Sequence, residues 1–177
     1  PACPCYSAAM RIYGIAGWSG SGKTTLIEAL LPALRTRGLR VATLKRTHHF
    51  VSLGGEETEA RLRAGSQEAL IVSPQGFCLV HAMSADAAEP SPARLAGRIA
   101  GADLLLVEGF KGAGHPKLEV WAGGQEKPPL ALTDDSIVAI AADTTVDIGG
   151  RPCFCRNDIR PIAEFILRFS DFTKSSI

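Results

Sequence analysis

Gly17-Trp18-Ser19-Gly20-Ser21-Gly22-Lys23-Thr24, with Thr25 behind it, fits the pattern G-x-x-x-x-G-K-[ST] at every fixed position. Upstream, Arg11-Ile12-Tyr13-Gly14-Ile15-Ala16 is a short apolar run that reads as a buried strand. Downstream, Thr24-Thr25-Leu26-Ile27-Glu28-Ala29-Leu30-Leu31 is a good helix former. Strand, glycine turn and helix start are what a phosphate cradle requires. Glycines let the backbone curl round an anion, and the unpaired N–H groups of the helix start point at it. Lys23 adds a point charge for the β and γ phosphates, and the Thr24 hydroxyl is placed to ligate Mg2+. The stretch predicts a nucleoside-triphosphate site.

Trp18 stands where P-loop proteins of the partition-ATPase kind carry a second lysine, so nothing suggests that subclass. The familiar Asn-Lys-x-Asp guanine motif is absent as well, and base choice does not follow from motifs.

The 177 residues suit one domain with a real core. With 46% apolar and 21% charged residues the composition is ordinary for a globular protein, and a net charge of +1 gives no strong field for nucleic acid or acidic membranes. Apolar runs fall short of the roughly 20 residues of a membrane span. Pro1 to Ala9 lack a signal-peptide pattern, so a cytoplasmic protein is expected. Met10 reads as a natural start, with 1–9 as upstream or added residues and a single nucleotide-binding domain over 10–177. Five cysteines do not suggest a disulfide framework. Cys3/Cys5 lie in the leader, and Cys153/Cys155 on a predicted strand face one side, but no companion pair has zinc-site spacing.

Working outward, the helix after the glycine turn is expected to run to about Thr36, with a kink or early end at Pro32. Arg40 to Lys45 reads as a second strand, completing a βαβ unit with parallel strands. Glu56 to Ala64 is helical. Glu68–Ser73 and Phe77–His81 flank Pro74-Gln75-Gly76 as a hairpin, and Pro92 to Ala100 is a short helix. Asp103-Leu104-Leu105-Leu106-Val107-Glu108 is apolar enough for a strand buried on both faces. Lys117–Trp121 and Ile137–Ala142 are further strands, and Ile159 to Phe169 an amphipathic closing helix. The fold class is α/β: a mostly parallel twisted sheet with helices on both faces, the P-loop NTPase fold, plus a β-hairpin arm.

In such sheets ligands sit beyond the carboxyl ends of the strands. That rule selects Glu108, either as a water-mediated Mg2+ ligand, as an orienter of the attacking water, or as a solvated loop acid. Asp103 starts the same strand, about 16 Å away, and is out of reach. Lys45, Arg46, Thr47, His48 and His49 also follow a strand at that edge, where they supply charge to phosphate or a switch-like response to it, and the two histidines either stand as surface residues or bind a metal transiently. Asp143 follows another, and either accepts from the N1–H and N2 amine of guanine or caps a turn. Lys111 and Lys117 read as solvated, and Gly112 to His115 as a flexible loop. Arg61 and Arg63, two residues apart on a helix, point to different faces.

Together, G-W-S-G-S-G-K-T-T, T-L-K-R-T-H-H, L-L-L-V-E-G-F-K and P-K-L-E-V resemble the molybdopterin-guanine dinucleotide biosynthesis protein B family (MobB) over about residues 10 to 170. The resemblance implies a homodimer with an extended β-arm that binds GTP with Mg2+ and hydrolyses it feebly. It implies assistance to the guanylyltransferase MobA, which joins GMP to molybdopterin. Carried over by motif, Gly17 to Thr25 form the phosphate site, Glu108 and Lys45 to His49 line the pocket, and the hairpin Glu68 to His81 is the dimer element. The chain departs from the family after His49, where Phe50-Val51-Ser52-Leu53 replaces an acidic residue and a longer segment with P-G-K-D-S. A metal-insertion GTPase or a small-molecule kinase is the alternative function. With no water-orienting glutamine or arginine finger in view, slow turnover is expected.

Overall fold

The computed structural model describes residues 10–47, 54–84, 86–124 and 126–172, with side chains as far as 169. The chain divides into two compact units, residues 1–46 with 91–177 and residues 47–90.

The larger unit is built on a six-stranded sheet in the order β2-β5-β1-β6-β7-β8, every neighbouring pair parallel. Its strands are β1 (Arg11–Ala16), β2 (Val41–Lys45), β5 (Leu104–Glu108), β6 (Lys117–Trp121), β7 (Ile137–Ala142) and β8 (Cys153–Cys155). The first two strands are parallel but are not neighbours. The apolar Leu104–Val107 run, buried on both faces, inserts between them, as expected for the most hydrophobic strand of a parallel sheet.

Strand alternation sends Tyr13, Ile15, Leu104 and Leu106 to one face, against α1 (Lys23–Arg35) and α4 (Ile159–Phe172). Leu30 and Leu34 of α1 are fully buried there, each contributing about 1.5–3 kcal/mol. The other face is covered by α3 (Pro92–Ala96), whose residues approach β1, and by a smaller cluster of Ile137, Ile140 and Ile148 round a short 3-10 turn, Leu130–Leu132. Arg151 staples that cluster by donating to the carbonyls of Ile148 (2.9 Å) and Ile137 (2.7 Å).

Pro32 neither stops nor shortens α1, which runs on to Arg35. The helix is held past the proline by tertiary packing of Leu34, and Thr36 N–H donates back to the Pro32 carbonyl at 3.0 Å. The helix expected over 92–100 ends at Ala96. Lys117, read from sequence as solvated, is fully buried: its ammonium meets Ser136 Oγ and lies 3.3 Å from Asp134 Oδ2.

The smaller unit holds α2 (Gly55–Arg63) and the antiparallel hairpin of β3 (Glu68–Ser73) and β4 (Gly76–His81). Arg61 and Arg63 pair with Glu57 and Glu59 one helical turn back. Register sets Leu70 opposite Leu79 and Val72 opposite Phe77. All four share one face and are 47–78% exposed. Among the described residues, no helix is long and apolar enough to cross a membrane.

Candidate functional site

The turn between β1 and α1 owes its shape to glycine. Gly17, Gly20 and Gly22 have φ of 140°, 76° and 93°, values that side-chain-bearing residues rarely adopt. At Gly17 space is decisive too, since a Cβ would stand 2.4 Å from the Val120 carbonyl oxygen and 2.6 Å from Ser21 Oγ. Gly22 is the N-cap of α1 and brings no side chain to its first N–H groups, an arrangement that suits an anion. Ser19, Gly20 and Thr25 are exposed and Ser21 is buried.

Three elements converge on this turn. Thr24, in the first turn of α1, lies with its hydroxyl donating to Glu108 at the end of β5, 3.3 Å from Oε1 and 3.5 Å from Oε2. Lys45, at the end of β2, places Nζ 3.5 Å from Glu108 Oε1. Lys23 donates to the Trp18 carbonyl at 2.7 Å. Burial draws the Lys23 pKa below the ordinary lysine value; Glu108 opposes this, and Lys111 and Lys45 add to it. A threonine hydroxyl and a carboxylate side by side are hard oxygen donors, so the chemistry of this pair fits Mg2+.

Glu108 leads into a sharp turn. Gly109 has φ 96° and Phe110 φ 50°, an uncommon conformation for an aromatic residue. The chain then crosses β1 and enters β6. The crossing passes over Gly14, where a Cβ would stand 2.8 Å from His115 Nε2 and 2.6 Å from Lys117 Cγ. Buried, His115 Nε2 has no hydrogen-bond partner among the described residues. Burial first, and Lys117 second, lower the His115 pKa against the pull of Asp134.

Lys111, on this crossing, sets its ammonium 4.2 Å from the centroid of the Trp18 ring, and Lys127 sets another at 4.6 Å. Trp18 Nε1 donates to the Pro128 carbonyl at 3.0 Å. Beneath this layer Glu119 of β6, fully buried, accepts from the N–H groups of Leu130 and Ala131, both at 2.8 Å. On the far side of β1, Asp143 follows β7 and pairs with Arg156 Nε.

The sheet therefore gathers Gly17 to Thr25, Lys45 and Glu108 at one edge, and carries Asp143 on the same edge two strands away from β1. His48 and His49 lie outside the described residues. Cys153 and Cys155 are free thiols, and among the described residues no group of three metal-ligating side chains forms. Sequence reading passed over Arg156 and Lys127, and took Lys111 only as solvated. The strand-end rule that selects Asp143 also selects Arg156, the residue after β8, whereas the Trp18 contacts carry no sequence signal because they join three loops.

A model of the family "molybdopterin guanine dinucleotide synthesis protein B" (MobB) matches residues 12–143. The chain is 31% identical over 163 residues to the molybdopterin-guanine dinucleotide biosynthesis adapter protein of Escherichia coli (strain K12), covering 89% of this chain and 92% of that one. It is 32% identical over 157 residues to the protein so named in Haemophilus influenzae, covering 88% and 86%. A crystal structure of molybdopterin-guanine biosynthesis protein B superposes with a TM-score of 0.70 at 32% identity, over 89% of this chain and 99% of the other. Fold, phosphate loop and extent of match agree, and the chain belongs to the MobB family.

Proposed function

We propose that this chain binds GTP with Mg2+ at the Gly17–Thr25 turn and serves as an adapter in the cytoplasmic synthesis of molybdopterin guanine dinucleotide. The observation that carries the reading is the meeting of Thr24 with Glu108 beside Lys23 and Lys45, in a chain whose relatives are named as adapters of that synthesis. Loop N–H groups and Lys23 hold the phosphates, and Lys45 adds charge from the next strand but one. Thr24 would hold Mg2+, with Glu108 orienting that hydroxyl, and the ion would supply positive charge against the phosphates. Hydrolysis is slow, and the value of nucleotide binding lies in partner contact with the MobA guanylyltransferase. The apolar face of Leu70, Val72, Phe77 and Leu79 is the homodimer element.

Calorimetric titration with non-hydrolysable GTP and ATP analogues, each with and without Mg2+, tests the reading. Guanine preference that disappears with Lys23→Ala supports it. Equal or tighter ATP binding, or no nucleotide binding at all, sinks it.

A further inference from the structure

We propose that Asp143 and Arg156 form the base-reading pair of the nucleotide site and select guanine over adenine. The inference rests on the nucleotide-binding reading above and adds the residues that choose the base.

Position comes first. The strand order β5-β1-β6-β7-β8 puts Glu108 on one side of the phosphate loop and Asp143 on the other, both at carboxyl ends. Two strand spacings separate β1 from β7, roughly 10 Å, comparable with the reach of a ribose and base beyond a cradled diphosphate.

Connection comes next. Arg156 N–H donates to the Ala142 carbonyl at 3.1 Å, tying the ends of β7 and β8 together. Its Nε engages Asp143, and its Nη1 donates to the carbonyl of Ser21, inside the phosphate loop, at 3.5 Å. Gly22 is as near, since a Cβ there would stand 3.7 Å from Nη1. The guanidinium thus bridges the phosphate loop and the Asp143 carboxylate, which also accepts from Gly123 N–H at 3.3 Å. Both side chains remain about one-third exposed, 34% for Arg156 and 32% for Asp143. An ion pair so exposed contributes little to folding.

Chemistry selects the ligand. Guanine presents two adjacent donors, N1–H and the N2 amine, beside the O6 acceptor. A carboxylate accepts from both donors, and a guanidinium with five N–H groups, of which the bonds above use two, donates to O6. Adenine offers an unprotonated N1 in place of N1–H, and its lone pair faces the carboxylate lone pairs. A polar site left unpaired in this way discriminates strongly.

Calorimetry with Mg2+ and GDP, IDP, XDP or ADP tests the pair, on the wild type, Asp143→Asn and Arg156→Ala. The wild type should bind GDP best, IDP (which lacks the N2 amine) about tenfold more weakly, and ADP most weakly. Asp143→Asn should lose GDP at least tenfold and gain XDP, because the asparagine amide donates to the xanthine 2-oxo group. Misfolding cannot produce that gain. Arg156→Ala should weaken GDP and IDP while sparing ADP. An Asp143→Asn protein that keeps the wild-type GDP to ADP ratio, or weakens all four nucleotides equally, overturns the proposal. Should Asp143→Asn not fold, Arg156→Ala decides, and an unchanged ratio overturns the pair. A wild type that prefers GDP with both variants unaltered removes only the base-reading pair. A wild type without any guanine preference removes the function proposed above as well.

Discussion

The Thr24 hydroxyl stands 3.3 Å from the Glu108 carboxylate although 84 residues separate them in the chain. They meet because β1 and β5 are parallel neighbours, with Ile15 level with Glu108. Glu108→Gln keeps the shape of this contact and removes its charge. The Mg2+-dependent part of nucleotide affinity, and hydrolysis with it, should fall about 10–100-fold, while Mg2+-free binding stays within about twofold. Titration in magnesium and in EDTA checks this, and equal losses in both would exclude a role through the metal.

Lys117 and Asp134 make an unequal pair. The lysine is fully buried, whereas the Asp134 side chain is 30% exposed. Asp134→Ala strands a buried ammonium and should cost about 3 kcal/mol. Lys117→Met removes the charge and leaves an aspartate that water reaches, so its cost should stay near 1 kcal/mol. Urea denaturation of the two variants gives the comparison, and equal effects would contradict it.

Asp103 ties the start of β5 to Arg40, whose Nη2 lies 2.8 Å from Oδ1 and whose backbone N–H donates to Oδ2 at 2.8 Å. The Arg40 side chain, then its backbone N–H, holds the Asp103 pKa at about 2. A depressed carboxyl favours the folded state when ionised. Its contribution is complete above the unfolded value near 4 and is lost as pH falls toward 2. Arg40 is 68% exposed, so screening leaves at most about 1 kcal/mol. Denaturation curves between pH 5 and pH 2 should slope less steeply for Asp103→Asn than for the wild type. Superimposable slopes would assign acid sensitivity elsewhere.

Trp18 reports on the phosphate loop. Lys23 donates to its carbonyl, and Lys111 and Lys127 lie against its ring. A phosphate that recruits Lys23 disturbs this arrangement. In Trp121→Phe, which leaves Trp18 as the single tryptophan of two, emission should change saturably on adding GDP, and the change should vanish with Lys23→Ala. Unaltered emission at saturating nucleotide would show that the loop binds without rearranging round Trp18.

The hairpin carries an exposed stripe whose most exposed members are Val72 and Phe77, paired across the strands. A single charge in the middle of an apolar interface is strongly unfavourable. Phe77→Asp should convert a dimer to a monomer in sedimentation velocity while leaving nucleotide affinity within about threefold. A dimer that survives both Phe77→Asp and Val72→Asp would place the interface on another surface.

Much was legible along the chain because local chemistry and burial agreed there. The spans of β1, β3, β6 and β7, the glycine turn and the course of α4 follow from periodicity and composition. Pro32 brings no early end because its missing N–H costs one helical bond, and the packing of Leu30 and Leu34 outweighs it. Lys117 misled because charge predicts exposure only when no partner waits inside, and Ser136 and Asp134 lie on a different segment.

The sequence by itself determined that a strand, a glycine turn and a helix form a phosphate cradle, and that apolar runs alternating with helices build a parallel sheet. Those properties reside in neighbouring residues, in backbone freedom at Gly17, Gly20 and Gly22, and in which faces must be buried. Only the tertiary structure decided that β5 lies beside β1 and brings Glu108 to Thr24, that Lys111 and Lys127 rest on Trp18, and that Arg156 joins Asp143 to Ser21. Such meetings depend on strand order and on loops crossing between strands. No residue encodes that order alone, because it emerges from which buried surfaces fit together once all the strands are present.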